Sequence, residues 1–167
     1  MNLPKRKPTR LKGYDYSQNG AYFITICTND RKCILGKIVG QGLAPAEIIL
    51  SQYGKIVKEQ LLDLENRYKT IKIDKYVIMP NHIHIIVILG NTAGASPRPT
   101  ISDVICSFKS LTTRMCKKEG FAELHLFQSS FHDHIIRGEK DYQKIWEYID
   151  TNPLKWELDC FYNDERS

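Results

Sequence analysis

Two histidines, His82 and His84, lie one residue apart in the apolar segment YVIMPNHIHIIV, residues 76–87. The alternation of the segment predicts a β-strand, in which residues i and i+2 point to the same face, roughly 6.5 to 7 Å apart. The imidazoles therefore project together, while Ile83 and Ile85 face the other way. Such a pair is a platform for a metal ion, although from these residues alone a structural, hydrogen-bonded role is about equally favoured.

A third ligand and a nucleophile could come from the last predicted helix, residues 138–153, which ends at a proline. Tyr148 lies at the border of the apolar stripe of this helix. Asn152 follows one turn later, about 40° away on a helical wheel. An amide oxygen is a hard ligand for a cation and a phenol is a nucleophile, so these two side chains could serve one site together with the histidines.

The composition is that of a single globular domain. The chain has 167 residues, of which 42% are hydrophobic and 26% charged. No apolar run approaches the roughly 18 to 20 residues that cross a membrane, and no secretory signal follows the basic start. The five cysteines are odd in number and show no metal-binding or redox spacing. We therefore expect a cytoplasmic protein with reduced thiols and no membrane partner.

Positive charge is concentrated at the start of the chain. The net charge is +5, and five basic residues precede the first acidic residue, so that residues 13–167 carry no net charge. A basic arm of this kind suits a polyanion such as DNA, although a solvated tail is the other interpretation. The five residues are Lys5, Arg6, Lys7, Arg10 and Lys12.

Turn signals and apolar periodicity predict the order β-β-α-β-β-α-β-α, which is typical of an α+β fold with an antiparallel sheet. We expect residues 21–28 and 31–40 to form a hairpin and residues 47–64 to form a helix. Two strands should meet at a tight turn at Pro80-Asn81. The second helix should start at Ser102-Asp103, with Lys109 and Lys117 on its polar stripe, and a short strand should follow within residues 125–137.

Four segments resemble the REP-associated tyrosine transposases, which are part of the single-tyrosine HUH group of nucleases and insertion-sequence transposases. The segments are GYDYSQNGAYFITICT, YVIMPNHIHIIV, SFKS in the second predicted helix and FHDHIIRGEKDYQKIWEYIDTNPLKW, which together span about residues 13 to 156. His82 and His84 match the family's His-hydrophobic-His motif. Tyr148 matches its tyrosine, and Asn152 stands in the place of the amide that completes its metal site.

The resemblance implies a ferredoxin-like or RRM-like sandwich and a transposase that cuts single-stranded DNA beside hairpins. Tyr148 would form a 5′-phosphotyrosine link, and the metal ligands would hold Mg²⁺ or Mn²⁺. Residues 1–20 would be a basic arm, 21–156 the catalytic domain and 157–167 a C-terminal tail. The implied DNA contacts are the five cations of the arm together with Lys109 and Lys117. The implied partner is single-stranded DNA with a hairpin, and the implied location is the nucleoid. The resemblance leaves undecided whether the chain forms a homodimer, because some relatives act alone.

The chain also departs from the family pattern. Phe127-Gln128-Ser129 stands where many relatives carry Trp-Gln-Arg, which removes one cation. A second pair, His132 and His134, repeats the spacing of the first. A four-histidine site would form if the second pair lay beside the first, but structural or DNA-contacting roles are favoured.

Two other classes of function are alternatives to the nuclease. An RRM-like module could stack single-stranded nucleic acid on Tyr22 and Phe23 without cutting it. A hydrolase of small phosphoesters could use metal-activated water, with Tyr148 incidental. The presence of all the implied ligands together with the tyrosine favours the nuclease over both.

Overall fold

The computed structural model describes residues 11–40, 45–91, 99–123 and 125–162. Four of the cations predicted to contact DNA, Lys5, Arg6, Lys7 and Arg10, lie outside the described residues. Within them, no helix is both long and apolar enough to span a membrane.

The described residues form an α+β fold. The strands are β1 (Gly20–Cys27), β2 (Gly36–Val39), β3 (Glu47–Leu50), β4 (Ile71–Ile78), β5 (His82–Leu89) and β6 (His132–Ile136). The α-helices are α1 (Gln52–Leu62), α2 (Leu64–Arg67), α3 (Ile101–Lys118) and α4 (Glu139–Thr151). A short 3-10 helix, Asn29–Arg31, follows β1, and a second one, Asn152–Leu158, continues α4.

Four strands make one sheet in the order β4-β5-β1-β6, and each of its three pairings is antiparallel. Helix α1 lies in the chain between β1 and β4, and α3 lies between β5 and β6. Each of these two helix connections therefore skips one strand, which is the split βαβ arrangement of a ferredoxin-like fold. This confirms the predicted fold class.

The two faces of the sheet have different coverings. Alternate residues of β1 and β5 face α1 and α3, and together they form the hydrophobic core, which includes Tyr22, Ile24, Ile83, Ile85, Val104 and Phe108. The intervening residues face the other side, where α4 packs against β4 and β5. His82 and His84 lie on this second face because they alternate with Ile83 and Ile85.

The predicted hairpin between residues 21–28 and 31–40 is wrong. Strand β2 pairs with β3 in a separate two-stranded sheet, because both edges of β1 are taken by β5 and β6. The helix expected from Glu47 begins instead at Gln52, since Glu47–Leu50 is strand β3. Ser51 caps the helix by accepting a hydrogen bond of 3.1 Å from the Gly54 N–H.

Two predicted boundaries are close to the observed ones. The turn at Pro80-Asn81 does join β4 to β5. Helix α3 starts one residue before Ser102, and its N-cap is Thr100. The Thr100 hydroxyl and the Asp103 carboxylate form a reciprocal capping box, which satisfies two amide groups at the helix start.

Candidate metal and nucleophile site

The two histidines are buried at the start of β5, each with its Nδ1 engaged. Nδ1 of His84 lies 2.8 Å from the Thr25 hydroxyl on the neighbouring strand. Nδ1 of His82 lies 2.9 Å from Oδ1 of Asn81, whose amide donates to the carbonyls of Arg31 and Phe161. These contacts orient both rings, as hydrogen bonds to the second ring nitrogen do in metal sites. The Nε2 atoms are left to face the centre of the site.

Helix α4 brings Tyr148 over this pair. The phenol oxygen lies 3.3 Å from Nε2 of His84, and the two ring centroids are 5.1 Å apart. Phe23 on β1 packs edge-on to the tyrosine ring at 6.1 Å. The side chain is 40% exposed, so the hydroxyl has the His84 imidazole on one side and an open approach on the other.

Asn152 is buried one turn after Tyr148, where α4 passes into the second 3-10 helix. Its Nδ2 donates a hydrogen bond of 2.6 Å to Oδ2 of Asp159. That bond leaves its Oδ1 buried and, within the described part of the chain, without a hydrogen-bond partner, and the same holds for Nε2 of His82. A buried polar atom without a partner costs about 1–3 kcal/mol, so two such atoms in one site indicate a missing ligand.

Asp159 adds a carboxylate that the sequence analysis did not include. One carboxylate oxygen of Asp159 and one nitrogen from each of His82 and His84 lie within 4.8 Å of one another, close enough to hold one cation. Oδ2 also accepts from the Tyr148 hydroxyl at 3.4 Å, and Oδ1 accepts from the Phe161 N–H at 2.7 Å.

The electrostatics of the site favour a cation. Burial lowers the pKa of His82 to about 4 and that of His84 to about 2, so both imidazoles are neutral near pH 7 and keep their lone pairs. Burial and then the charge of Asp159 raise the pKa of Tyr148 to about 12. The residues therefore fit a divalent ion, with two imidazoles, an amide oxygen and a carboxylate as donors.

Comparison with known proteins identifies the family of the chain. Residues 16–152 match the family described as "Transposase IS200 like". The chain belongs to this transposase family. An uncharacterized protein of Haemophilus influenzae is 34% identical over 175 residues, which cover 95% of this chain and 94% of that protein. A REP-associated tyrosine transposase of Escherichia coli is 23% identical over 89% of this chain and 81% of its own length.

A solved structure has the same fold. It is that of a REP-associated tyrosine transposase bound to a REP hairpin, with a TM-score of 0.65 and 21% sequence identity over 90% of this chain and 76% of that chain. Family membership gives the chain a transposase function in DNA recombination, and transposases of the HUH type generally use a divalent metal ion.

Three of the residues that we predicted to contact DNA are described: Lys12 precedes β1, and Lys109 and Lys117 lie on α3. Lys117 and Lys12 are exposed. Lys109 is half-buried, and its Nζ donates to the carbonyls of Gln128 and Ser129 at 2.5 and 3.0 Å, which ties α3 to the segment that leads towards β6. Burial lowers the pKa of this amine. The role of these lysines in DNA binding stays a prediction.

The second histidine pair does not join the first. His132 lies opposite Thr25 on β1, and Thr25 lies opposite His84, so one strand separates the two imidazoles, roughly 10 Å at sheet spacing. Nε2 of His134 contacts the Asp141 carboxylate at 2.9 Å. Both histidines of this pair are exposed, and the four-histidine site is therefore not formed.

Sequence reasoning missed two residues of the predicted tail. Asp159 approaches His82 and His84, and the Phe161 ring lies 4.7 Å from that of His82. No periodicity leads from the helix to these positions, and the only available signal is an acidic residue one or two turns after the tyrosine helix. The division at residue 156 stays a prediction, but residues beyond it contact the site.

Proposed function

We propose that this transposase is a metal-dependent single-stranded DNA endonuclease and strand transferase in which Tyr148 forms a 5′-phosphotyrosine intermediate. One observation carries the proposal. The Tyr148 hydroxyl lies 3.3 Å from His84 Nε2, in the same site as the unpartnered atoms His82 Nε2 and Asn152 Oδ1. Such a reaction needs a nucleophile beside a set of metal ligands, with a solvent-exposed side from which the DNA strand can approach.

His82, His84 and Asn152 would hold the ion, with Asp159 beside them. The mixture of imidazole and oxygen donors favours Mg²⁺ or Mn²⁺. When bound, the ion supplies Lewis-acid polarisation of the scissile phosphate and lowers the cost of a phenolate beside it. Asp159 holds the Asn152 amide with its oxygen turned inward, because the carboxylate can accept only from the Nδ2 side.

Tyr148 would attack the scissile phosphorus, and its oxygen would form the new phosphodiester bond while the bond from phosphorus to the 3′ oxygen breaks. The phenol loses its proton and the leaving oxygen gains one, so the products are a 5′-phosphotyrosine and a free 3′-OH. The carboxylate of Asp159, 3.4 Å from the phenol, is an acceptor for the departing proton. Because one phosphodiester replaces another, a 3′-OH can reverse the step and join strands without a nucleotide cofactor.

The substrate would be single-stranded DNA with a hairpin. Support comes from the fold of a relative that was solved bound to a REP hairpin. Lys5, Arg6, Lys7, Arg10 and Lys12 of the arm, with Lys117, would contact the DNA backbone, while Lys109 would act through the segment it holds. A homodimer stays a prediction.

The alternative function, an RRM-like module that binds single-stranded nucleic acid without cutting it, is less well supported than the nuclease. Tyr22 is fully buried in the core and cannot stack on a base. Phe23 faces the other side, but its ring lies 5.2 Å from that of His84 and beside Tyr148, so α4 covers the position where a base would stack.

Formation of a covalent protein–DNA adduct tests the proposal. The full chain is incubated with labelled single-stranded hairpin DNA from the flanks of its own gene and with Mn²⁺, and the products are separated on a denaturing gel. We expect a labelled band at the mass of the protein plus the DNA fragment. Tyr148→Phe should abolish this band, because no oxygen remains to attack phosphorus.

Tyr142→Phe is the matched control, since it removes a hydroxyl from the same helix, where the phenol bonds Asp74 instead of the site. This variant should keep the adduct. An adduct that survives Tyr148→Phe would make the nucleophile assignment wrong. Phosphodiester cleavage without any adduct would favour the hydrolase.

A further inference from the structure

An open groove lies between α3 and the segment of residues 125–129, outside the candidate metal site. Its volume is about 620 Å³, within the range of sites that hold a ligand. Thr113 and Arg114 lie three and four residues after Ser110, and Lys117 lies four and three residues after them, so the four side chains form one stripe of α3 that faces this groove. We call this the α3 groove.

The charge of the α3 groove is positive. Arg114 and Lys117 are exposed, and in the part of the chain that the structure describes neither forms a salt bridge. Among the lining residues there is no acidic side chain. Lys109 forms part of the wall, but its amine already donates hydrogen bonds to two backbone carbonyls. One guanidinium and one ammonium group are thus free to meet an anion beside the hydroxyl of Ser110, whereas the Thr113 hydroxyl donates to the Lys109 carbonyl.

A second depression continues the α3 groove. It is lined by Asn29, Asp30, Arg31 and residues 128–130, and the two cavities share Gln128 and Ser129. The carboxylate of Asp30 is the one acid of this lining, and it accepts from the neighbouring Asn29 amide.

The second depression reaches the candidate site through Arg31. The guanidinium of Arg31 lies 5.3 Å from the centre of the Phe161 ring, which in turn lies 4.7 Å from the His82 ring. The connection is rigid, because the Gln128 N–H donates to the Cys27 carbonyl and the Asn29 N–H donates to the Leu126 carbonyl. Lys117, Arg114 and Arg31 therefore line one continuous surface, which ends beside the proposed metal ligands.

We propose that this surface binds the sugar-phosphate backbone of the single DNA strand that leads to the scissile phosphate. The inference rests on the proposed function for the position of the scissile phosphate, but the groove is a separate surface with its own residues. The two free cations and the Ser110 hydroxyl in an open groove suit phosphate groups without regard to base identity. The α3 groove thus fixes the path of the strand, and sequence preference has to come from elsewhere.

The first test measures DNA binding with EDTA present, where no metal-dependent cleavage takes place. Fluorescence anisotropy with a labelled single-stranded hairpin oligonucleotide is recorded over a range of salt concentrations for the wild type and for Arg114→Gln/Lys117→Gln. The double variant should bind about tenfold more weakly, and the slope of log K against log salt should fall by about 1.4, since each phosphate contact contributes about 0.7 on a single strand.

The matched control is Lys55→Gln/Lys58→Gln, which removes the same charge from two exposed positions on α1 that do not line the groove. This pair should change affinity and slope far less. An equal effect of both pairs would overturn the proposal, because general charge and not the groove would then determine binding.

A second test uses the unmodified chain. Cys106 is exposed and lines the α3 groove, so single-stranded DNA should slow its alkylation by a maleimide several-fold, as measured by peptide mass spectrometry. An unchanged rate at saturating DNA would overturn the groove assignment. The outcome of the adduct assay is independent of these binding tests. If the groove variant binds DNA more weakly but the wild type forms no adduct, the nuclease proposal is refuted and the groove proposal stands.

Discussion

At the scale of single residues, the orientation of Asn152 decides what the site can bind. An asparagine offers either a donor or an acceptor to a cavity, and the bond of 2.6 Å from its Nδ2 to Asp159 turns the acceptor inward. The inward Oδ1 and His82 Nε2 have no hydrogen-bond partner among the residues that the structure describes. A cation removes both desolvation penalties at once, so binding of the ion should be visible as stability.

A divalent ion should therefore raise the melting temperature of the wild type. At one hundred times the dissociation constant, Mn²⁺ adds about 2.7 kcal/mol, which corresponds to roughly 5 to 10 °C for a chain of this length. Asn152→Ala and His82→Gln should lose most of this shift. Tyr148→Phe should keep it, because the phenol is not among the proposed ligands. Thermal unfolding with and without Mn²⁺ measures the shift, and equal shifts in all variants would place the ion elsewhere.

The two buried histidines should also make metal-free stability depend on pH. Their pKa values are lowered by burial to about 4 and about 2 in the folded state, against 6.5 in the unfolded chain. Below pH 6.5 the unfolded chain therefore binds more protons than the folded one, and stability falls as pH drops towards the folded values. Between pH 6.5 and 5 each histidine should lower the free energy of unfolding by up to about 2 kcal/mol.

Urea unfolding at pH 7 and pH 5 in the presence of EDTA measures this loss. His84→Gln removes one of the two titrating groups, so about half of the loss between these pH values should disappear. A variant that keeps the full dependence would show that other groups titrate in this range and that His84 is not held neutral by burial.

At the scale of elements, α1 is positioned by a close approach between backbones. Gly54 is the third residue of this helix, in its first turn, and glycine is a poorer helix former than alanine. A Cβ at this position would lie 1.9 Å from the carbonyl oxygen of Leu35. The glycine therefore lets the helix pack directly on the segment before β2.

Gly54→Ala should consequently destabilise the protein by about 2 to 4 kcal/mol, although alanine is the better helix former. Lys58→Ala in the same helix is exposed and should change stability by less than about 0.5 kcal/mol. Urea unfolding of the two variants makes the comparison. A Gly54→Ala protein as stable as the wild type would mean that α1 can shift away from Leu35 at little cost.

Elements also explain which parts of the molecule can be predicted from the sequence. His82 with His84, and Tyr148 with Asn152, share a face because the period of one strand or one helix sets their geometry. The partner of β2 does not follow from such a period, since neighbours in the chain predict a hairpin with β1. The long-range pairing of β1 with β5 and β6 excluded it. Asp159 follows an irregular segment, where no period indicates direction.

At the scale of the whole molecule, three distant segments close one side of the site. The Asn81 amide in the turn before β5 donates to the carbonyl of Arg31 and, at 2.7 Å, to that of Phe161. The Phe161 ring lies against the His82 ring, and the guanidinium of Arg31 lies 5.3 Å from the centre of the Phe161 ring. The C-terminal segment is thus part of the environment that keeps His82 desolvated.

A chain that ends at Leu158 should therefore be less stable and should have a more solvated His82. Loss of the Asn81 bond and of the partly buried phenylalanine should lower the unfolding free energy by about 2 to 4 kcal/mol. The pKa of His82 should move towards 6.5 because desolvation is the main cause of its lowering, and this gain should exceed the loss of the Asp159 charge, which raises the pKa. Urea unfolding measures the first effect, and NMR titration of the imidazole in metal-free protein measures the second.

A chain that ends at Tyr162 is the control for this truncation, since it keeps every contact described above and removes only residues 163–167. It should match the wild type in both measurements. If the two truncated chains behave alike, Asp159 and Phe161 do not hold the site, and the burial of His82 must come from Trp156, whose ring lies 5.9 Å from the imidazole and is retained in both. The comparison thus separates the contribution of the last described segment from that of the helix that carries Asn152.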